Sequence, residues 1–336
     1  MKIVVDGFGG DNAPVAVLAG CAQAAAEYHV PIAVTGDEEK LRKAAAENSI
    51  DISALELVHA DDVIDVEDDP TEITKSKANS SMTVAFKMVA EGKADVFVSG
   101  GSTAAIVVGS SLIVRRIKGI KRAALAPIIP TANGCYMLLD GGANLECRPE
   151  MLLHFGLMGS AYMNQIMKVP SPRVGLANIG AEETKGGELQ LKAYELLKRS
   201  PVNFTGNVEA RDIPLGACDV VVADGFTGNI ILKLTEGMGK LISVKLKEIF
   251  MSGLKSKLGA LLVLNKVNDF KKTMDYTEYG GAPLLGVRKP VIKAHGSSNA
   301  QAFKNAVRQA ILFTENDVIG EIERHLEAVE TAGVKE

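Results

Sequence analysis

A three-layer α/β/α fold around a mostly parallel, mixed sheet is predicted by three features of this 336-residue chain. Five times, over residues 3–11, 96–103, 174–187, 220–229 and 291–298, an apolar run ends in a turn of Gly, Asp, Ser, Thr or Asn and enters a helical pattern. Strand and helix patterns alternate through the first third, as helices covering a parallel sheet require. Hydrophobic residues make up 47%, enough to fill a sizeable core.

The elements follow in order. Strand patterns at 2–5, 31–35 and 55–59 alternate with helix patterns at 13–28 and 38–47. A polar stretch over 61–81, carrying Lys75 and Lys77, is long for a passive connector and points to function. Ser80 or Ser81 can cap the helix that follows at 82–90. Strands near 123–129 and 135–139 lie close enough to pair antiparallel around the turn signal Asn133-Gly134, which makes the sheet mixed. The final helical pattern spans 299–328, with Ser297 or Ser298 as cap and a break near Gly320. There is no internal repeat, and 1–336 reads as one α/β catalytic domain.

Composition excludes several classes. No apolar run approaches the ~20 residues of a membrane span, and the opening Met1-Lys-Ile-Val-Val is a strand pattern rather than a signal peptide, so a cytoplasmic protein is expected. Cys21, Cys135, Cys147 and Cys218 lack CxxC spacing and read as thiols, not as a disulfide or metal site. A net charge of -4 with no Trp gives no reason to expect nucleic acid.

Residues 240–272 depart from this average. Eight lysines stand against Glu248 and Asp269, a formal charge of +6, interleaved with Leu254, Leu258, Leu261, Leu262, Val263 and Leu264. Gly253 and Gly259 interrupt the pattern, so two short amphipathic helices are expected within 240–275. Leu258, Leu261, Leu262, Lys255 and Lys257 suit an anionic membrane surface; the same leucines suit a homodimer contact, and both readings stay open.

The turns carry the chemistry. Parallel strands end where helix amino termini offer unpaired N–H groups and a positive dipole end, so a small anionic ligand is expected. Gly7-Phe-Gly-Gly-Asp-Asn12 imitates a dinucleotide fingerprint but has Asn12 at the third glycine and no acidic residue at the ribose position. Asp6 and Asp11, beside Gly9 and Gly10, position either a ligand or a neighbouring loop. Ser99, Gly101, Ser102 and Thr103 form a second polar turn. Gly180–Gly187 is no Walker loop, yet Lys185 among glycines can hold phosphate or an oxyanion, or be a solvated lysine. Asp224, Gly225, Thr227 and Asn229 share one strand-to-helix turn, with Thr227 as its cap, and His295 and Ser297 share another. No nucleophile elbow is present, and covalent catalysis is disfavoured.

Taken together, these strings resemble the bacterial phosphate acyltransferases of phospholipid synthesis. The resemblance spans nearly the whole chain and rests on residues 140–144, 178–186, 203–212, 224–229, 278–286 and 293–298. Departures fall at Gly7-Phe8, at Ser102 where the family has Asn, and at Lys75 where it has Arg. The resemblance implies a Rossmann-like fold of the isocitrate/isopropylmalate dehydrogenase kind with a protruding helical hairpin. It implies transfer of a long-chain acyl group from acyl carrier protein to inorganic phosphate, by direct attack and with no cofactor or metal. A homodimer at the membrane surface, handing product to a membrane acyltransferase, is implied too. Within it Lys185 and Asn229 would contact phosphate or the oxyanion, Asp224 would orient Lys185 or Asn229, His295 would donate to phosphate or act as an acid for the departing thiolate, and the 99–103 turn would cradle anionic oxygens. A coenzyme A-dependent phosphate acetyltransferase and a dehydrogenase of the same fold are the alternatives.

Overall fold

The computed structural model describes residues 1–274 and 280–333; residues 275, 278 and 279 of the segments quoted above lie outside the described residues. The alternation holds from the start: β1 (Ile3–Asp6), α1 (Val15–Tyr28), β2 (Ile32–Gly36), α2 (Glu38–Glu47) and β3 (Leu55–His59). Ser80 caps α3 (Ser81–Ala90), its Oγ accepting from Thr83 N at 3.3 Å. Then come β4 (Val96–Ser99), α4 (Thr103–Gly109), β5 (Ala124–Leu125), β6 (Ile128–Thr131), β7 (Gly134–Leu139), α5 (Pro149–Gln165), β8 (Arg173–Asn178), α6 (Glu188–Lys198) and β9 (Asn203–Glu209). The chain ends through β10 (Val220–Val222), α7 (Gly225–Met251), α8 (Leu254–Met274), β11 (Ala282–Leu285), β12 (Val291–Lys293), α9 (Ala300–Glu315) and α10 (Val318–Thr331).

The strands form two sheets where the sequence suggested one. The first runs β3-β2-β1-β4-β12-β11-β5 and is parallel except for β11; the second runs β6-β7-β10-β8-β9 and is parallel except for β6 against β7. The apolar run at 123–129 is divided between them at Pro127, which has no N–H to donate to a continuous ladder. β5 therefore pairs with β11, while β6 closes on β7 with Thr131 opposite Gly134. The largest buried apolar cluster includes Ile3 and Val96 of the first sheet and Val174 and Val220 of the second, so one interior serves both. Strands β1, β4 and β10 are wholly buried, as parallel strands covered on both faces must be.

Two helical expectations need correcting. The lysine-rich segment is not two short helices broken at both glycines: α7 runs unbroken for 27 residues, the break is at Ser252-Gly253, and Gly259 lies inside α8. A glycine costs a helix only about 1 kcal/mol, and a Cβ at Gly259 would meet nothing within 4 Å, so it does not stop the helix. At the other end, Asn299 rather than Ser297 or Ser298 caps α9, accepting from Ala302 N at 2.9 Å. The helix breaks at Asn316-Asp317 rather than at Gly320. Asp317 caps α10 through Gly320 N, and a Cβ at 320 would lie 2.4 Å from the Asp317 carboxylate. No helix among the described residues is long and apolar enough to cross a membrane.

Candidate active site

Three strand-to-helix turns of the first sheet pack against one another at the carboxyl ends of β1, β4 and β12. Gly9 is glycine for a local reason: a Cβ there would lie 2.5 Å from Ser99 Oγ and 2.8 Å from Gly101 N. Beneath the turns Asp6 is 2% exposed and accepts from Ser81 Oγ at 2.6 Å, Ser99 Oγ at 2.8 Å and Phe8 N at 3.3 Å. Burial pushes its carboxyl above the usual range, and the two serine hydroxyls oppose that shift. Ser99 Oγ in turn accepts from Gly101 N at 2.9 Å. Asp6, expected to position either a ligand or a neighbouring loop, and Ser99, expected to cradle anionic oxygens, do not line the cavity; both fix the shape of the turn above them. The β1 turn is tied to the β12 turn by Asp11 N to Gly296 O at 2.8 Å and Asn12 Nδ2 to Ser297 O at 3.1 Å.

The second sheet joins through Asp140. Its buried carboxylate accepts from the N–H groups of Leu125, Gly142, Ala143 and Asn144 and from Asn144 Nδ2, at 2.6 to 3.2 Å, so it draws the edge of the first sheet onto the end of β7. The first turn of α7 rests on this loop. A Cβ on Gly228 would come within 1.9 Å of Asp140 O, and one on Gly225 within 2.4 Å of Asn144 O. Only glycines allow that approach, which sets Asn229 beside Gly142.

A cavity of about 580 Å³ opens between these parts. Of the expected residues, Gly10, Asp11, Gly101, Ser102, Thr103, Asn229 and His295 line it. Ser102 also caps α4, accepting from Ala105 N at 3.4 Å, so the first N–H groups of that helix face the space. Ile64, Asp65 and Val66 supply part of the wall, which gives the polar 61–81 stretch its place. Lys75 does not line the cavity and pairs with Glu72 at 3.5 Å.

The remaining expected residues sit elsewhere. Asp224, expected to orient Lys185 or Asn229, is the cap of α7; it accepts from Thr227 N at 2.8 Å and Thr227 Oγ1 at 2.9 Å, so Thr227 is its donor and not the cap. Gly225 packs under that cap, and Ser297 supports His295 from outside. Lys185 lies on the exposed β8–α6 loop, with its carbonyl held by Asn178 Nδ2 at 3.0 Å, and does not line the cavity.

Lys293, quoted in the sequence only as part of a motif, ends β12 inside the cavity. It is 9% exposed, and its Nζ donates to Gly100 O at 3.2 Å and to Ala294 O. Burial lowers it to about 8, with Asp11 opposing that shift. Lys233, on the third turn of α7 and paired with Glu236 at 2.9 Å, lines the cavity too. His295 accepts from Ser297 N through Nδ1 at 3.2 Å, so the neutral ring carries its proton on Nε2. Burial lowers its pKa, and Glu236 opposes that shift. The thiols of Cys21, Cys147 and Cys218 are pushed up by burial to about 12, which leaves them protonated and inert.

The fold and this cleft define an α/β class in which two sheets share one interior and a cavity opens at the carboxyl ends of parallel strands. A model of that class, described as fatty acid synthesis protein, matches residues 1–321, and the chain belongs to this family. It is 48% identical to the phosphate acyltransferase of Alkaliphilus oremlandii over 322 residues, 96% of each chain. To the phosphate acyltransferase of Thermoanaerobacterium thermosaccharolyticum it is 46% identical, over 98% of each chain. Among solved structures, a phosphotransacetylase from Streptococcus pyogenes superposes with a TM-score of 0.63 at 19% identity, covering 94% of each chain, a likeness of fold.

Proposed function

We propose that this chain is a phosphate acyltransferase that moves a long-chain acyl group from acyl carrier protein to inorganic phosphate, for phospholipid synthesis. One observation carries the reading: a buried ammonium, the opening N–H groups of α4, the Asn229 amide and a neutral histidine all line one cavity. These are groups for holding a phosphate and a developing oxyanion, and the thioester is already activated. Phosphate oxygen attacks the thioester carbonyl, the new O–C bond forms, and the tetrahedral oxyanion collapses with loss of the C–S bond. Lys293 and the Gly101–Thr103 turn hold the phosphate, Asn229 donates to the oxyanion, and neutral His295 donates an Nε2–H hydrogen bond to the departing sulfur, which leaves as the thiol with the proton that the attacking hydrogen phosphate loses. Lys185 lies on the exposed β8–α6 loop outside this cavity and would act as an additional cation toward the same anions only if that loop closed over them. The apolar wall of Ile64, Val66, Leu125 and Leu232 takes the start of the acyl chain.

The hairpin of α7 and α8 fits a homodimer that works in the cytoplasm against an anionic membrane and passes acyl phosphate to a membrane acyltransferase. Supporting this, Phe226, Ile230, Leu234, Met238 and Ile242 recur every fourth residue and are exposed, as are Leu258, Leu261 and Leu262, the last by 84%. Apolar rows of that length need a partner surface. Flotation of Leu258→Glu and Leu262→Glu variants with anionic vesicles separates the roles. Lost flotation with an intact oligomer supports the membrane role; intact flotation with a lost oligomer makes the hairpin a protein interface only.

The reaction is tested by supplying purified protein with phosphate and either long-chain acyl carrier protein or the matching coenzyme A thioester. Acyl phosphate from the carrier at the higher kcat/KM is expected. Turnover of the coenzyme A thioester alone would favour the acetyltransferase-like alternative.

A further inference from the structure

Opposite in character to the cleft is a surface of cations with few counter-charges. Arg115, Arg116, Lys118, Lys121 and Arg122 follow α4, and Arg288 and Lys289 lie between β11 and β12. The two loops are stitched together: Arg288 N donates to Arg115 O at 3.0 Å, Arg288 Nε to Arg116 O at 3.1 Å, and Ile117 N to Gly286 O at 3.0 Å. Neither residues 103–139 nor residues 280–314 contain an Asp or Glu. α10 passes close by, with Leu326 near Gly119, yet among the described residues no ion pair joins its glutamates to Arg115, Arg116, Lys118, Arg122, Arg288 or Lys289. Six of the seven cations are exposed, Lys289 is half-buried, and Leu112 stands 55% exposed beside them.

We infer that this patch docks an acidic protein, the carrier that delivers the thioester, and the inference rests on the reaction proposed above. Guanidinium forks match carboxylates in pairs, and an exposed leucine amid them supplies the apolar anchor of a protein interface. In a chain of net charge -4 the seven cations on two joined loops form, apart from the lysine-rich hairpin, a second concentration of attraction for an acidic partner. The patch is also placed for delivery. α4 starts at Thr103 in the cleft and the chain reaches Arg115 twelve residues later, about 18 Å at helical rise, a distance a flexible thioester arm can span.

The test uses the full chain with Arg115→Glu, Lys118→Glu and Arg122→Glu combined, and Lys118→Glu alone should the triple not fold. Two donors are compared at several salt concentrations: long-chain acyl carrier protein and a protein-free acyl pantetheine. KM for the carrier should rise at least tenfold in the triple and severalfold in the single variant, with a flatter salt dependence, while turnover of acyl pantetheine stays at the parent value. An unchanged carrier KM overturns the inference, as does loss of anionic-vesicle flotation with carrier KM intact, which would make the patch a lipid site. Parent protein that turns over acyl pantetheine but not the carrier would instead overturn the proposed donor, a distinguishable result.

Discussion

One helix shows two regimes. The first turn of α7 is wedged against the Asp140–Asn144 loop, and a single added methyl at Gly228 has no room. Three turns on, a Cβ at Gly237 or Gly239 would meet nothing within 4 Å. The base of the helix is thus fixed by packing and carries Asn229 and Lys233 into the cleft, whereas the distal part presents apolar side chains outward. The sequence gives both parts the same Gly-rich helical texture; the neighbours decide what each glycine is for.

The sharpest way to break that comparison is one substitution made twice. Gly228→Ala should destabilise by about 3 kcal/mol or more, since the clash is with a backbone carbonyl that cannot swing aside. Gly237→Ala should stabilise by ~0.5 to 1 kcal/mol, because alanine is the better helix former and the site is open. Chemical denaturation measures both; equal effects would mean the base of α7 is not packed as described.

A second comparison is between the two lysines. Lys185→Ala should leave the melting temperature unchanged, because its side chain is exposed, while lowering turnover by about 10²-fold if it donates to the oxyanion. Near-normal turnover in the folded variant removes Lys185 from the mechanism and leaves the cation's task to Lys293.

Lys293 also makes a pH prediction. Its folded pKa, about 8, lies below the ordinary lysine value of 10.5, so between those values the unfolded chain binds the extra proton. Stability from this group therefore rises with pH across that window, by about 1.4 kcal/mol per unit at most, and is flat below it. Activity should run the other way, falling above pH 8 as the ammonium is lost. Parent and Lys293→Met proteins compared by denaturation and initial rates at pH 7 to 10 check both slopes; the variant should lack the stability rise.

Much of the architecture was legible because it is local. The alternation through β3, the Ser80 cap and the hairpin around Asn133 all follow from short-range patterns. The division into two sheets was not, since it depends on which distant strand β5 finds. Nor were the caps of α7 and α9, where two candidate side chains stood within a few residues. Composition places polar turns at the strand ends but cannot tell a residue that lines the cavity from one beneath it, so Asp6 and Ser99 read the same as Asp11 and Ser102. Lys185 stands out in sequence because glycines flank its loop. Lys293 does not, although a lone lysine closing the apolar run Val291-Ile292 at a strand's carboxyl end is the signal that would have found it.

On the proposed reaction, this cleft makes acyl phosphate with phosphate held by Lys293. Single-turnover formation of acyl phosphate from long-chain acyl carrier protein and labelled phosphate tests it most directly, in parent and Lys293→Met proteins. Met keeps the side chain's volume and removes a buried charge, so the variant should fold. Acyl phosphate should form in the parent and fall by about 10²- to 10³-fold in Lys293→Met. No acyl phosphate from the parent, or undiminished formation in the variant, would contradict the account.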